Sequence, residues 1–321
     1  MEQFVELLNN PWILVASLIL GLIALVKGAD WLVDGASDVA KRLGVSDLVI
    51  GLTIVAFGTS MPEFVVNMVS VHDGATDLAM TNILGSNIIN VFVILGLTAV
   101  VYPVVSQRSS QVLDIPMATL AGVLVLLFAW GGGISRWEAL ILVLIFVGYM
   151  SFTFVKSKKS KTENESIVKM SLPLSILCIL GGLAGLTVGG ELIVKSAVKI
   201  ATDFGVSQAV IGLTIVALGT SLPELATSVV AATKKNSDIA LGNVLGSNIF
   251  NVFFVLGVSG LVHPLPSYDG FVLDSIMAAL GCMLVWVFVE TNKQKAVKRY
   301  AGIVLLVVYA AYLTYRLVGV S

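Results

Sequence analysis

Charge is scarce in this sequence. Asp, Glu, Lys and Arg make up 12% of its 321 residues, against about 25% in a typical soluble domain. That shortage excludes an ordinary water-soluble globule. Cysteine is nearly absent: Cys178 and Cys282 both lie in apolar runs. They offer neither a disulfide framework nor thiolate metal spacing, and read as small core residues. No basic stripe marks a nucleic-acid surface, and a formal net charge of −1 names no partner. The alternating pattern of a membrane barrel is missing. The opening MEQFVELLNNPW has no Lys/Arg-rich start and no cleavage-site pattern. A mature start is expected there, and not a signal peptide.

Long apolar runs fill the space that charge leaves. Stretches such as 112–130 and 140–155 recur along the chain. Each can cross roughly 30 Å of hydrocarbon as a helix. The expectation is an all-α polytopic membrane protein with ten spans, near 10–40, 46–71, 78–102, 112–132, 137–156, 171–201, 207–232, 239–262, 270–290 and 297–317. The first and sixth are long for a bilayer and should tilt or overrun it. Most of the 19 Lys and Arg, among them Lys41, Arg42, Arg108, Lys158, Lys234, Lys235, Lys293 and Arg299, fall on one side when loops alternate. Only Arg136, Lys195, Lys199 and Arg316 fall on the other. The positive-inside rule makes the richer side cytoplasmic and puts both termini outside. The polar connector 156–169 (KSKKSKTENESIVK) is then a cytoplasmic linker between two halves, 1–156 and 171–321, with 157–170 between them.

The halves are copies. Gly44–Glu63 and Gly205–Glu224 align at an offset of 161 with 16 of 20 positions identical. The same offset pairs Asn82-Ile83-Leu84-Gly85-Ser86-Asn87-Ile88-Ile89-Asn90 with Asn243-Val244-Leu245-Gly246-Ser247-Asn248-Ile249-Phe250-Asn251. Five spans per half is an odd number, so the second half starts from the opposite face. That is an inverted-topology repeat, the architecture of alternating-access transporters. A duplicated bundle with no transport role would need only its apolar pattern. Here Thr, Ser, Glu and Asn are the residues retained.

Glu63 and Glu224 sit near the middle of the second and seventh spans. A charge at that depth costs from about 3 to more than 10 kcal/mol, so each must face protein, water or a cation. Pro62 and Pro223 lack an N–H and clash one turn back. The run Gly-Thr-Ser-x-Pro is therefore expected to open each helix and free carbonyls near Ala56 and Ala217. Thr59, Ser60 and Glu63 then face Thr220, Ser221 and Glu224. Ser86 with Asn90, and Ser247 with Asn251, are spaced i, i+4 and share a helix face. The set is all oxygen, with no His or Cys. Such ligands suit hard cations such as Na⁺ and Ca²⁺ and argue against Zn²⁺ or Cu. The two carboxylates balance one Ca²⁺ or at least two Na⁺, which is a basis for exchange. No resident cofactor is implied, and nothing in the chain sets an oligomeric state.

The paired Gly-Thr-Ser-(Met/Leu)-Pro-Glu and Gly-Ser-Asn-Ile-x-Asn motifs resemble the two repeats of the cation/Ca²⁺ exchanger superfamily, in its prokaryotic Na⁺/Ca²⁺ exchanger-like branch. The resemblance implies that Glu63 and Glu224 coordinate Ca²⁺ centrally. It implies that Thr59, Ser60, Thr220, Ser221, Ser86 and Ser247, with the Ala56 and Ala217 carbonyls, serve Ca²⁺ and flanking Na⁺ sites. It also implies that the first and sixth helices slide to alternate access. One position departs: where many members carry Asp, this chain has Asn251. Asn keeps an oxygen and loses an ionisable group, which argues against the K⁺-dependent branch. The Gly-Asn-Ala-x-Glu signature typical of the H⁺/Ca²⁺ branch is absent, which lowers the case for proton coupling. The expected function is Na⁺-driven Ca²⁺ export. A Ca²⁺/H⁺ exchanger and a cation channel stand as alternatives. An enzyme is not expected, since neither Ser60 nor Ser221 has a plausible His or Lys base.

Other polar residues have plainer readings. Asp30 and Glu191 align at the same offset of 161. They are either vestibule acids or partners of nearby lysines, with Lys27 in reach of Asp30. Asp114 and Asp274 are expected to cap or border their helices. Asn82, Asn243, Asn87 and Asn248 are expected to bind substrate or bridge helices. His72 and His263 should be solvated, and Gly28, Gly85, Gly189 and Gly246 should let helices pack closely.

Overall fold

The computed structural model describes residues 7–159, 169–206, 211, 215 and 217–318. Nine membrane-length elements are described: α1 (Pro11–Leu43), α2 (Asp47–Thr59 and Met61–His72, bent by 46°), α3 (Thr76–Val101), α4 (Ser110–Trp130), α5 (Arg136–Lys156), α6 (Leu172–Asp203), α8 (Ser237–Val262), α9 (Phe271–Thr291) and α10 (Arg299–Val318). The element α7 contributes Ala217–Thr220 and Leu222–Thr233. The first part of its expected span, and most of the linker, lie outside the described residues. This accommodates the ten-helix expectation.

Local chemistry sets the helix ends. Asn10 caps α1 by accepting from the Trp12 N–H, with Pro11 as the first helical residue. Gly44 ends it in the left-handed region at φ 64° and donates to the Ala40 and Lys41 carbonyls. Glycine is favoured in that conformation because it has no Cβ to clash. Ser46 then caps α2, so Gly-Val-Ser turns the chain within three residues.

The two overlong helices pair with each other. At 1.5 Å per residue, α1 and α6 each run about 50 Å, well beyond the hydrocarbon. Gly28 of α1 meets the Gly182 carbonyl so closely that a Cβ there would lie 2.8 Å away. A Cβ on Gly189 would fall 2.6 Å from the Leu25 nitrogen. Gly246 likewise admits Leu52 and Ala56 of α2. The positions that would face Gly85 by the repeat are 213 and 217, whose side chains are not among those described. In their most apolar stretch α1 and α6 are each only 28% buried, whereas α3 and α8 are 83% buried. The repeat therefore builds a core of α3 and α8, packed around Phe92, Phe253, Met80 and Ile83. The pair α1/α6 lies at its edge.

Two short ribbons, absent from the sequence reading, tie the halves together. Val104–Val105 pairs with Ala296–Val297, and Gly133–Ile134 pairs with Leu265–Pro266, both antiparallel. Each joins a loop of one half to a loop of the other. Other cross-links obey the same sorting. Arg42 bonds the Met170 carbonyl, Gln107 bonds Asp238, and Asn236 bonds Asp47, all on the face that holds the linker. Arg136 bonds the Val262 carbonyl on the opposite face. These contacts fit a second half inserted upside down relative to the first.

One polar reading is corrected and another narrowed. Asp30 pairs with Lys234 at 2.6 Å, and not with Lys27, because the turn after α7 delivers that lysine to α1. Of the two roles expected for them, Asp114 and Asp274 take the second: they border their helices, each in the first turn, and do not cap them. Asp114 accepts from the Tyr149 hydroxyl, and Asp274 from Tyr268 and Tyr312 with Arg316 nearby. They anchor α5 and α10 from the first turns of α4 and α9. His72 and His263 are exposed, as expected.

Candidate cation site

The break in α2 falls at Ser60 (φ −88°, ψ 7°), and Ser221 repeats it in α7 (φ −90°, ψ 4°). Pro62 and Pro223 follow in the first turn of the next helical limb, where a missing N–H is tolerated. The expected free carbonyl at Ala56 is not found: it accepts the Ser60 N–H at 3.0 Å. Ser60 retains its N–H, so the ladder survives one residue longer. The group that Pro62 deprives of its usual donor is the Gly58 carbonyl. Ala217 opens the described part of α7.

The breaks carry Glu63 and Glu224 to the centre, each only 1% exposed. Ser60 donates to Glu224 Oε1 at 2.9 Å and also meets the Ser247 hydroxyl at 2.9 Å. A single hydroxyl proton serves one acceptor, so Ser247 can donate to Ser60 while Ser60 donates to Glu224. Ser86 donates to Glu63 Oε1 at 3.2 Å, and Ser221 reaches Ser86 at 3.4 Å. Each carboxylate is thus connected to both halves. Thr59 donates to Asn243 Oδ1 at 3.1 Å. Thr220 lines an adjoining cavity.

Widened helical turns support the next layer. Asn90–Leu95 of α3 and Phe250–Leu256 of α8 are π-helical, a geometry often found at functional sites. Asn90 donates to Asn248 Oδ1 at 3.0 Å, and Asn251 to Asn87 Oδ1 at 3.1 Å. Asn87 and Asn248 each donate to the other's backbone carbonyl. These amides therefore bridge helices. Asn82 and Asn243 do so too, donating to the Glu63 and Glu224 carbonyls and to Asn67 and Ser228. Asn67 continues to Ser259. Asn67 and Ser228 went unread in the sequence, although they also align at the offset of 161.

Among the described residues, eight buried side-chain polar atoms have no hydrogen-bond partner. Four of them are Glu63 Oε2, Glu224 Oε2, Asn90 Oδ1 and Asn251 Oδ1, two pairs related by the repeat. All four are acceptors. A buried acceptor without a donor is costly, and the symmetric recurrence argues against accident. Among the described residues no group of three or more His, Cys, Asp or Glu assembles. The donor set is two carboxylates plus neutral oxygens, which can hold a hard cation.

A cavity of about 750 Å³, lined by Phe57, Gly58, Met150 and Leu183 among others, flanks the linker-side half of α2. A second cavity of about 700 Å³ lies between α2 and α6, lined by Val65, Val66, Glu191, Lys195 and Thr220. Its counterpart by the repeat, between α7 and α1, is packed with Ala36, Ala40, Ala226, Ala231 and Ala232, all buried.

Known proteins share this frame. The sodium/calcium exchanger protein family matches residues 13–155 and again 174–318. The sodium/calcium exchanger MaX1 of Methanosarcina acetivorans is 33% identical over 92% of this chain and 96% of its own. The inner membrane protein YrbG of Escherichia coli is 34% identical over 83% of this chain and 88% of its own. A solved structure of the sodium-calcium exchanger NCX_Mj superimposes with a TM-score of 0.83 at 33% identity, covering 95% of this chain and 99% of that one. The chain belongs to the sodium/calcium exchanger family of membrane antiporters.

Proposed function

We propose that this protein exports Ca²⁺ in exchange for Na⁺ through one central site shared by its two halves. Glu63 and Glu224 supply the charge. Asn90 and Asn251 supply neutral oxygens, with Ser60, Ser221, Ser86, Ser247, Thr59 and Thr220 around them. The Ala56 carbonyl, which accepts from the Ser60 N–H and lies 3.4 Å from the Thr59 hydroxyl, adds a backbone oxygen, and Ala217 occupies the equivalent place. The observation that carries this reading is the repeat-related set of four unpartnered acceptors. Two carboxylates accept one Ca²⁺ or at least two Na⁺ with similar charge balance. An unfilled pair would be expensive to move through low dielectric. That difference couples the two fluxes.

The difference between the two repeat-related grooves supports alternating exposure. Opening between α2 and α6, against packing between α1 and α7, is one of two arrangements that the repeat allows. The units proposed are 1–156 and 171–321, joined by 157–170, and the two family matches fall one in each. The Lys/Arg distribution supports a cytoplasmic linker, outside termini and residence in the inner cell membrane. No bond is broken in this function. The partners of Ser60 are Glu224 and Ser247, with no His or Lys between them.

The test is radiolabelled Ca²⁺ uptake into Na⁺-loaded proteoliposomes. Uptake should require the outward Na⁺ gradient, and a proton gradient should not replace it. Proton-driven uptake would move the protein to Ca²⁺/H⁺ exchange. Uptake with no counter-ion would make it a channel.

A further inference from the structure

Lys234 stands on the turn that follows α7 and reaches across to α1. Its Nζ lies 2.6 Å from Asp30 Oδ1, 2.7 Å from Asp34 Oδ1 and 3.1 Å from the Asp30 carbonyl. One lysine thereby spans a full turn of the peripheral helix. This contact borders the packed side, where α1 and α7 close over the centre.

The offset of 161 maps these positions onto the opposite face. Lys234 corresponds to Asp73, on the turn that follows α2. Asp34 corresponds to Lys195, and Asp30 to Glu191, both on α6. Each face therefore has one lysine and two carboxylates, but their placement is reversed. On the linker face the cation is on the turn and the acids are on the long helix. On the other face the acid Asp73 is on the turn and the lysine is on the long helix.

Lys195 and Glu191 line the cavity between α2 and α6 and pair with each other at 2.5 Å. Asp73 is exposed just past the far end of the α2 wall, and among the described residues it forms no ion pair. The open side thus holds the components of a contact that is already made on the closed side.

We propose that the two faces carry reciprocal ion-pair latches. Lys234 with Asp30 and Asp34 holds α1 against α7 on the linker face in the conformation seen here. Asp73 with Lys195 holds the opposite face shut in the other conformation, when α6 closes onto α2. The reversal of sign keeps each latch from borrowing the other's partner: Lys234 and Lys195 cannot pair, nor can Asp73 and Asp34. This inference rests on the antiport reading for its purpose. It rests on the repeat and the asymmetric packing for its geometry.

Two double-cysteine proteins test it, each in a Cys178→Ala/Cys282→Ala background. One carries Asp34→Cys with Lys234→Cys, the other Asp73→Cys with Lys195→Cys. Both are reconstituted in proteoliposomes and treated with a bis-methanethiosulfonate linker of lysine-like reach, each thiol displacing one methanesulfinate as its reducible mixed disulfide forms, because a direct S–S bond needs closer backbones than a lysine–carboxylate contact does. Each should cross-link and stop Ca²⁺ flux, and reductant should restore it. A reporter cysteine near the linker face should become accessible when the Asp73/Lys195 pair is locked, and protected when the Asp34/Lys234 pair is locked. Failure of the Asp73/Lys195 pair to cross-link under any Na⁺ or Ca²⁺ condition overturns the proposal.

Charge exchange is the second arm. Half-exposed ion pairs are individually weak, so Lys195→Glu should shift the conformer ratio by about two- to fivefold. Adding Asp73→Lys should reverse that shift, and no reversal also overturns the proposal. Uptake by the unmodified protein separates the two readings. Na⁺-coupled uptake without the cross-link discards the latch alone. Cross-linking without coupled uptake keeps the latch and discards the antiport assignment.

Discussion

Ser60 joins the two halves through a single oxygen, bonding Glu224 from α2 while contacting Ser247 of α8. Ser60→Ala removes a donor to the carboxylate and leaves the apolar packing intact. It should weaken Ca²⁺ affinity by about 10- to 100-fold, since a hydrogen bond to a charged group contributes about 1.5–3 kcal/mol. Equilibrium binding on purified protein measures this. Asn251 gives a sharper test. Its Oδ1 has no donor while its Nδ2 is committed to Asn87. Asn251→Asp should resemble the parent at low pH, where the new carboxyl is protonated and neutral. It should diverge as pH rises and a third negative charge enters the site. The pH profile of Ca²⁺ uptake reads this directly. The acids, hydroxyls and amides were legible in the sequence because the duplication preserved them at matched positions. The state of the Ala56 carbonyl was not. Motif spacing shows where a proline strains a helix, but not which carbonyl loses its donor.

At the scale of elements, the glycine contacts between α1 and α6 are the most exacting feature. A Cβ on Gly28 would meet backbone atoms of Gly182 and Leu186 at 2.8 Å, and backbone cannot rotate aside. Gly28→Ala should cost about 1–3 kcal/mol through overpacking and lower the melting temperature in detergent. Gly148 on α5 has open space around it, so Gly148→Ala should be neutral or slightly stabilising in the same assay. The bend in α2 was legible from Gly-Thr-Ser-Met-Pro, and the length of α1 and α6 from their hydropathy. The π-helical turns of α3 and α8 were not legible, because apolar periodicity over six or seven residues does not separate 3.6 from wider turns. The loop ribbons were hidden too: they pair segments more than a hundred residues apart, and pairing depends on topology. Lys234 could not be assigned to Asp30 for the same reason.

For the whole molecule, duplication and inversion explain why polar residues recur in so apolar a chain. In the proposed site neither half supplies a complete cation shell; the shell would form where the halves meet. If three Na⁺ move against one Ca²⁺, one net positive charge crosses with the Na⁺, and 100 mV biases the cycle by about 2.3 kcal/mol. A potential positive inside Na⁺-loaded vesicles should then accelerate Ca²⁺ uptake, and valinomycin-clamped K⁺ gradients can impose it. The most direct test of the shared site is calorimetric Ca²⁺ binding to the purified protein and to Glu63→Gln and Glu224→Gln separately. The account predicts that either substitution alone abolishes measurable binding, since each removes half of the charge around one ion. Parent-like affinity in either variant would contradict it.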